Sequence, residues 1–394
     1  MIYPSSWFPG AIKLGGKEVY ISFLLSFLIL IFSFDFYGFL NLKIKFSTLE
    51  QKVLYLIFFI GLISTLMYNS QEITTLKGIM YLLAYGIIFI LYFLIIPKIL
   101  YDEPDIFDKF IKIISGFGFI FSAVGLLMLA VNFSPDTEYS FAFVSIIKHP
   151  NLTSKVLTVT IFPTLFYYYW KRDNLPALIR YGYIFSISIQ VVAQMLTYDR
   201  AGLIGTVIGL LVFMGFYYKS KVIYLTPLFV FLSFFAVTVF RGKGLGSSVA
   251  RLYLLVPAIE MIFRNQERTL WGYGLTNGFA EYSRNLIVFY SNEPQQTDPH
   301  NTYVTLVLFW GLIFTIFVLF FVCIIIAKCI KKIFILKKDK RALSYMFLLS
   351  SLAAISIQAI FDAEIIRMDY FVVHYLFIVL GLMYISVKNK LSII

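Results

Sequence analysis

The sequence predicts an all-α polytopic membrane protein with about eleven (10–12) transmembrane helices and one large outer loop containing amphipathic helices. Three observations predict the membrane architecture. Hydrophobic residues make up 60% of the 394-residue chain and charged residues 14%, with a mean hydropathy of +0.85. No water-soluble domain of this length has enough interior to hide that much apolar surface. The apolar residues fall in runs that suit a bilayer crossing of roughly 20 residues. Lys and Arg concentrate in alternate connecting loops, as the positive-inside rule requires.

The predicted spans are residues 20–40, 53–68, 79–96, 111–131, 154–170, 181–197, 201–217, 222–240, 303–327, 343–361 and 370–387. Asp35 and Gly38 divide the first run, which could therefore be two short segments, giving twelve. The chain reads as a single membrane domain, 1–394, with 241–300 inserted as the large outer loop. There is no basic start and no small-residue cleavage site after the first apolar run, so no cleavable signal peptide is expected. Lys328, Lys331, Lys332, Lys337, Lys338, Lys340 and Arg341 crowd one loop, which is placed inside. Counting back and forward from it puts Lys171 and Arg172, Lys219 and Lys221, Lys43, Lys45 and Lys52, and Lys388 and Lys390 inside too. In a soluble protein a net charge of +12 would suggest nucleic acid; here loop sidedness accounts for much of it, and no nucleic-acid partner is expected. Cys323 and Cys329 lie six positions apart in one predicted helix, on different faces, which argues against a disulfide or a metal pair.

The 241–300 loop is the longest connection, and connections of that length are functional or disordered. Leu252, Leu255, Val256, Ile259, Ile262 and Phe263 recur at helical spacing within it and predict an amphipathic helix lying on the membrane or folded over the bundle. Pro257 should kink or break that helix. Trp271-Gly272-Tyr273-Gly274 follows, a turn whose glycines let the backbone approach something closely.

Polar groups converge on the outer side. His149-Pro150-Asn151 precedes the fifth span, Asp199-Arg200 opens the seventh, and Asp298-Pro299-His300-Asn301-Thr302-Tyr303 opens the ninth. Arg251 and Arg264 stand on the loop helix, and Asp362 in the last outer loop. Outer basic residues run against the positive-inside bias and so call for a reason. Arg can hold phosphate oxygens bidentately, and the neutral imidazole of His300 can take a proton from a hydroxyl. Structural roles stand beside these. Arg200 can pair with Asp199, Arg264 with Glu260 one turn earlier, His149 and His300 can cap helices, and Asp362 can be a solvated turn.

In order and placement, His149-Pro150-Asn151, Asp199-Arg200-Ala201, Arg251 with Trp271-Gly272-Tyr273-Gly274, and His300-Asn301-Thr302-Tyr303 followed by Gly311 resemble the O-antigen ligase / O-antigen polymerase superfamily. The resemblance implies a metal-independent, inverting GT-C-type glycosyltransferase of the bacterial cytoplasmic membrane, without cofactor, acting on its outer side. It implies an undecaprenyl-diphosphate-linked oligosaccharide as donor and, in a polymerase, as acceptor. In a ligase the acceptor is lipid A–core. Carried over, Arg200 and Arg251 would hold the diphosphate and His300 would activate the acceptor hydroxyl. Asp362 looks like the family's late acidic position, and His149, Asn151, Arg264, Asn301 and Tyr303 complete the expected binding set. Membrane lipids and a chain-length regulator protein are the further partners considered. A transporter or flippase of a lipid-linked saccharide is the alternative from another class; it predicts paired halves with mid-membrane charges, and none is visible in the chain.

Overall fold

The computed structural model describes residues 11–14, 17–20, 49–67, 85–131, 150–218, 246–274, 278, 281–286, 299–336, 339–361 and 371–388. The expected span at 20–40 beyond Tyr20 and the whole of that at 222–240, together with His149 and Asp362, lie outside them. The helices are α1 (Leu49–Met67), α2 (Tyr85–Asp102), α3 (Pro104–Ala130), α4 (Pro150–Lys171), α5 (Ala177–Leu196), α6 (Arg200–Tyr218), α7 (Gly246–Arg264), α8 (Gln266–Trp271), α9 (Thr302–Leu336), α10 (Arg341–Gln358) and α11 (Phe371–Lys388). A short antiparallel hairpin, β1 (Ala11–Leu14) and β2 (Lys17–Tyr20), pairs Ala11 with Tyr20 and Leu14 with Lys17. Among the described residues it is the departure from an otherwise helical architecture.

Among the described residues five helices, α2, α3, α6, α9 and α10, are long and apolar enough to cross a membrane, and α11 is a shorter apolar helix. Expected spans α4 and α5 form helices where predicted but are less apolar. In α4 the reason is burial: Thr153, Ser154, Lys155, Thr158, Thr160 and Thr164 are all buried inside the bundle. A helix surrounded by protein can carry polar groups that a lipid-facing helix cannot.

The core centres on α10, whose residues from Ala342 through Leu352 are buried without interruption. Phe347 stacks on Phe166 of α4 with ring centroids 4.9 Å apart. Helix α6 runs antiparallel to α10 at very close range: a Cβ added at Gly205 would lie 2.5 Å from the Ala354 carbonyl oxygen, and one at Gly209 would lie 2.7 Å from that of Ser350. Backbones that close leave no room for a side chain. Gly209→Ala should therefore cost about 1–3 kcal/mol, read as a lower thermal midpoint in detergent. Gly215→Ala, on the same helix with nothing within 4 Å of the added carbon, should leave the midpoint unchanged or slightly raised. Equal midpoints for the two variants would contradict this packing.

Two expectations about the long loop change. Helix α7 passes through Pro257 without interruption; the Asn285 side-chain amide donates to the Pro257 carbonyl at 3.2 Å, and the Tyr282 hydroxyl to that of Leu254 at 2.8 Å. These bonds fasten the proline-containing turn of α7 to residues 282 and 285 from outside the helix. The stripe is also divided. Ala258, Met261 and Ile262 are buried in a cluster with Leu306, Leu308, Phe309 and Trp310. Val256, Ile259 and Phe263, from the same predicted stripe as Ile262, are 50%, 43% and 74% exposed. Helix α7 thus has two apolar faces, one folded over the bundle and one turned to the surroundings.

Candidate functional site

Described residues of the basic loops lie at one end of the bundle, and Arg200, His300, Asn301 and Asn151 lie at the other. At one end Lys340 pairs with Asp173 at 3.0 Å and Lys171 with Asp108 at 3.2 Å. The Lys340 ammonium holds the Asp173 carboxyl below the usual carboxylate range. Loops assigned inside from their charge are therefore neighbours.

The other end is built around the C-terminus of α10. The Thr302 N–H donates to the Ala359 carbonyl at 2.9 Å, and the Asn301 side-chain amide to that of Ile360 at 2.7 Å. The antiparallel register of α6 on α10 carries Arg200 to this end. Helix α4 follows, because the Gln358 amide donates to Thr158 Oγ1 at 2.8 Å, and Thr158 lies 3.2 Å from the Thr206 hydroxyl of α6. Helix α5 is tied in by Gln194, whose amide donates to Ser154 Oγ at 2.8 Å. The start of α11 joins through Val373, packed with Leu152 of α4. The N-termini of α4, α6, α9 and α11 thus point to one end, and each carries partial positive charge. Anionic groups are favoured there before any side chain is counted.

Two corners at this end are strained. Tyr198 has φ +53° and His300 has φ +50°. Non-glycine residues hold left-handed backbone only when the surroundings over-determine it, and such positions concentrate at functional sites. The Tyr198 corner turns α5 directly into α6. Beyond it Asp199, 5% exposed, accepts the Gly202 N–H on Oδ2 at 3.0 Å, and its own N–H donates to Thr197 Oγ1 at 3.3 Å. The carboxylate thereby caps α6 at the residue where Arg200 begins the helix.

Half-buried His300 stands just before α9, held by its neighbour. Asn301 Oδ1 accepts the Val304 N–H at 3.0 Å while Asn301 Nδ2 holds Ile360. Each end of the amide makes one bond, so Asn301 serves as cap and tether next to His300. Tyr303 donates its hydroxyl to the Ser356 carbonyl at 3.0 Å, which makes it a second tether. Asn151 is half-buried in the first turn of α4. Arg251 lies in the second turn of α7. Arg264, at the far end of α7, pairs with Glu260 at 2.9 Å on an exposed face, the structural role expected for that spacing.

Two ionisable residues near this end were missed in the sequence. Lys155 is 5% exposed, one turn inside α4. His374 is 8% exposed, one turn inside α11, and stacks on Tyr92 with centroids 4.2 Å apart and planes 5° apart. Their signal was available: a charged or titratable side chain inside a span is a functional candidate by default.

No curated protein and no solved structure matches the chain. Residues 185–319, about a third of the chain, match the family model described as O-antigen ligase, and this segment includes Arg200, Arg251, Arg264, His300, Asn301, Tyr303 and Gly311. The match supports an O-antigen ligase-type function in an integral membrane protein. Over residues 185–319 the chain is similar to that family, which is consistent with the O-antigen ligase / O-antigen polymerase superfamily that the motifs resemble.

Proposed function

We propose that the chain is a surface-polysaccharide polymerase that joins undecaprenyl-diphosphate-linked repeat units on the outer face of the cytoplasmic membrane. The observation that carries this reading is the gathering of Arg200, His300 and four helix N-termini at the end of the bundle opposite the basic loops. Loop charge makes that end the outer one. A lipid diphosphate leaves carrying its own negative charge, so its departure needs fixed cations and oriented dipoles rather than a proton. Arg200 at the start of α6 and Arg251 on α7 are the cations of this reading, and buried Lys155 adds a third. His300 takes the proton from the acceptor hydroxyl as that oxygen attacks the anomeric carbon. The bond from that carbon to the diphosphate oxygen then breaks, and attack opposite the leaving group inverts the centre. A second reading, ligation of the glycan to lipid A–core, is favoured by the description of the matching family.

Incubating purified protein with a lipid-diphosphate oligosaccharide, with no nucleotide sugar and no metal, tests the proposal. Longer lipid-linked chains from that single substrate are expected. Products only when lipid A–core is added would select ligation. Movement of the lipid-linked saccharide across vesicles without any new glycosidic bond would overturn both readings in favour of a flippase.

A further inference from the structure

The expected single span at 303–327 is interrupted. Gly311, with φ +83° and ψ +168°, breaks α9 into a short helix before it and a long one after it. The break lies nine residues below Thr302, about 14 Å along the helix, well inside the bundle. A break there exposes carbonyls that an intact helix would satisfy, and each costs about 1–3 kcal/mol if left unpaired. The 241–300 loop supplies the partners. The Tyr273 N–H donates to the Leu308 carbonyl at 2.8 Å, and the Gly274 N–H to that of Phe309 at 2.9 Å. Ser64 of α1, fully buried, donates to the Trp271 carbonyl at 2.6 Å and lies 3.3 Å from the Phe309 oxygen. The fit admits only glycine. Gly272 has φ +80°, and a Cβ there would lie 2.5 Å from the Phe309 oxygen; one on Gly311 would collide with the Leu270 carbonyl.

We propose that this joint between the Trp271–Gly274 turn and the Gly311 break, pinned by Ser64, sets where Arg251 stands relative to His300. Ser64, Gly272 and Gly311 are then positioning residues for the transfer reaction. The inference rests on the function proposed above. The connection runs through named contacts in both directions. Toward Arg251, the Tyr273 hydroxyl donates to the Met261 carbonyl of α7 at 3.0 Å, and Asn265 caps α8 by accepting the Glu267 N–H at 3.0 Å. Toward His300, the short helix from Thr302 to Trp310 ends in the Asn301 cap, which is fastened to Ile360. A continuous α9 would offer the loop no exposed carbonyls to hold, and α7 would keep its apolar contacts with α9 but lose the hydrogen-bonded joint that fixes its register.

A double-mutant cycle on purified full-length protein tests the coupling. Misplacement by about an ångström is enough to cost orders of magnitude in rate, so Ser64→Ala should lower kcat/KM for the lipid-diphosphate oligosaccharide about 10-fold. Ser64→Thr, which keeps the hydroxyl, should recover most of that loss. In an Arg251→Ala background, Ser64→Ala should add less than about twofold, because the group it positions is gone. Tyr273→Phe, which cuts the tether to α7 and leaves the backbone bonds of the joint intact, should behave the same way and serves if Ser64→Ala does not fold. Wild-type kcat/KM in Tyr273→Phe, or in a folded Ser64→Ala, overturns the joint's role. So does a loss that persists in full in the Arg251→Ala background, and in that case the proposed function stands. Wild-type transfer by Arg251→Ala overturns the joint's role and the part given to Arg251 together.

Discussion

His300→Asn should lower the turnover of glycan transfer by about 10²- to 10⁴-fold, the range a positioned base contributes. Its thermal midpoint should stay close to that of the wild type. The choice of Asn follows from the backbone. Position 300 sits at φ +50°, and Asn enters left-handed geometry more readily than other non-glycine residues. His300→Ala would mix loss of the imidazole with loss of a residue suited to that corner. The side chains that hold the corner, Asn301 on Ile360 and Tyr303 on Ser356, are untouched by the change. A His300→Asn protein that extends glycan at the normal rate would remove the base from the account.

Arg200→Lys should reduce kcat/KM by about 10²-fold, comparable to removing one preorganised donor from a site of developing charge. The substitution keeps the positive charge and removes the planar fork, so it separates bidentate recognition from simple attraction. Asp199 should go on capping α6 through the Gly202 N–H, which keeps the helix start in place. Wild-type activity in Arg200→Lys would mean that the diphosphate is held by charge alone, without a fork at this position.

The helices and their two ends were legible because the physics behind them is local. Apolar runs mark where lipid or core must be, and Lys340 and Lys171 are found at one end as their loops' charge implies. Helix-initiating signals were legible too: Pro150 and Asp199-Arg200 open helices in the structure, and Asn301 caps one. Which face of α7 meets protein was not legible. Lipid and protein core are both apolar, so hydropathy ranks Phe263 and Ile262 alike although one is exposed and the other buried. The break at Gly311 was equally hidden. A single glycine in an apolar run reads as a tolerated helix residue, and the bonds that favour the break come from Tyr273 and Gly274, far away in sequence. Lys155 and His374 were passed over because the surrounding residues dominate any window average. The β1–β2 hairpin was missed at a sequence that does carry a turn signal, Gly15-Gly16 between two four-residue strands.

In the proposed function guanidinium groups bind the diphosphate while the imidazole performs the chemistry. Equilibrium binding of undecaprenyl diphosphate, without sugar, to three purified proteins separates these two roles. Wild type and His300→Asn should bind with equal affinity, and Arg200→Lys should bind about 10-fold more weakly, the loss of roughly one charge-assisted hydrogen bond. Equal affinity in all three, or weakened binding in His300→Asn alone, would contradict that division of labour.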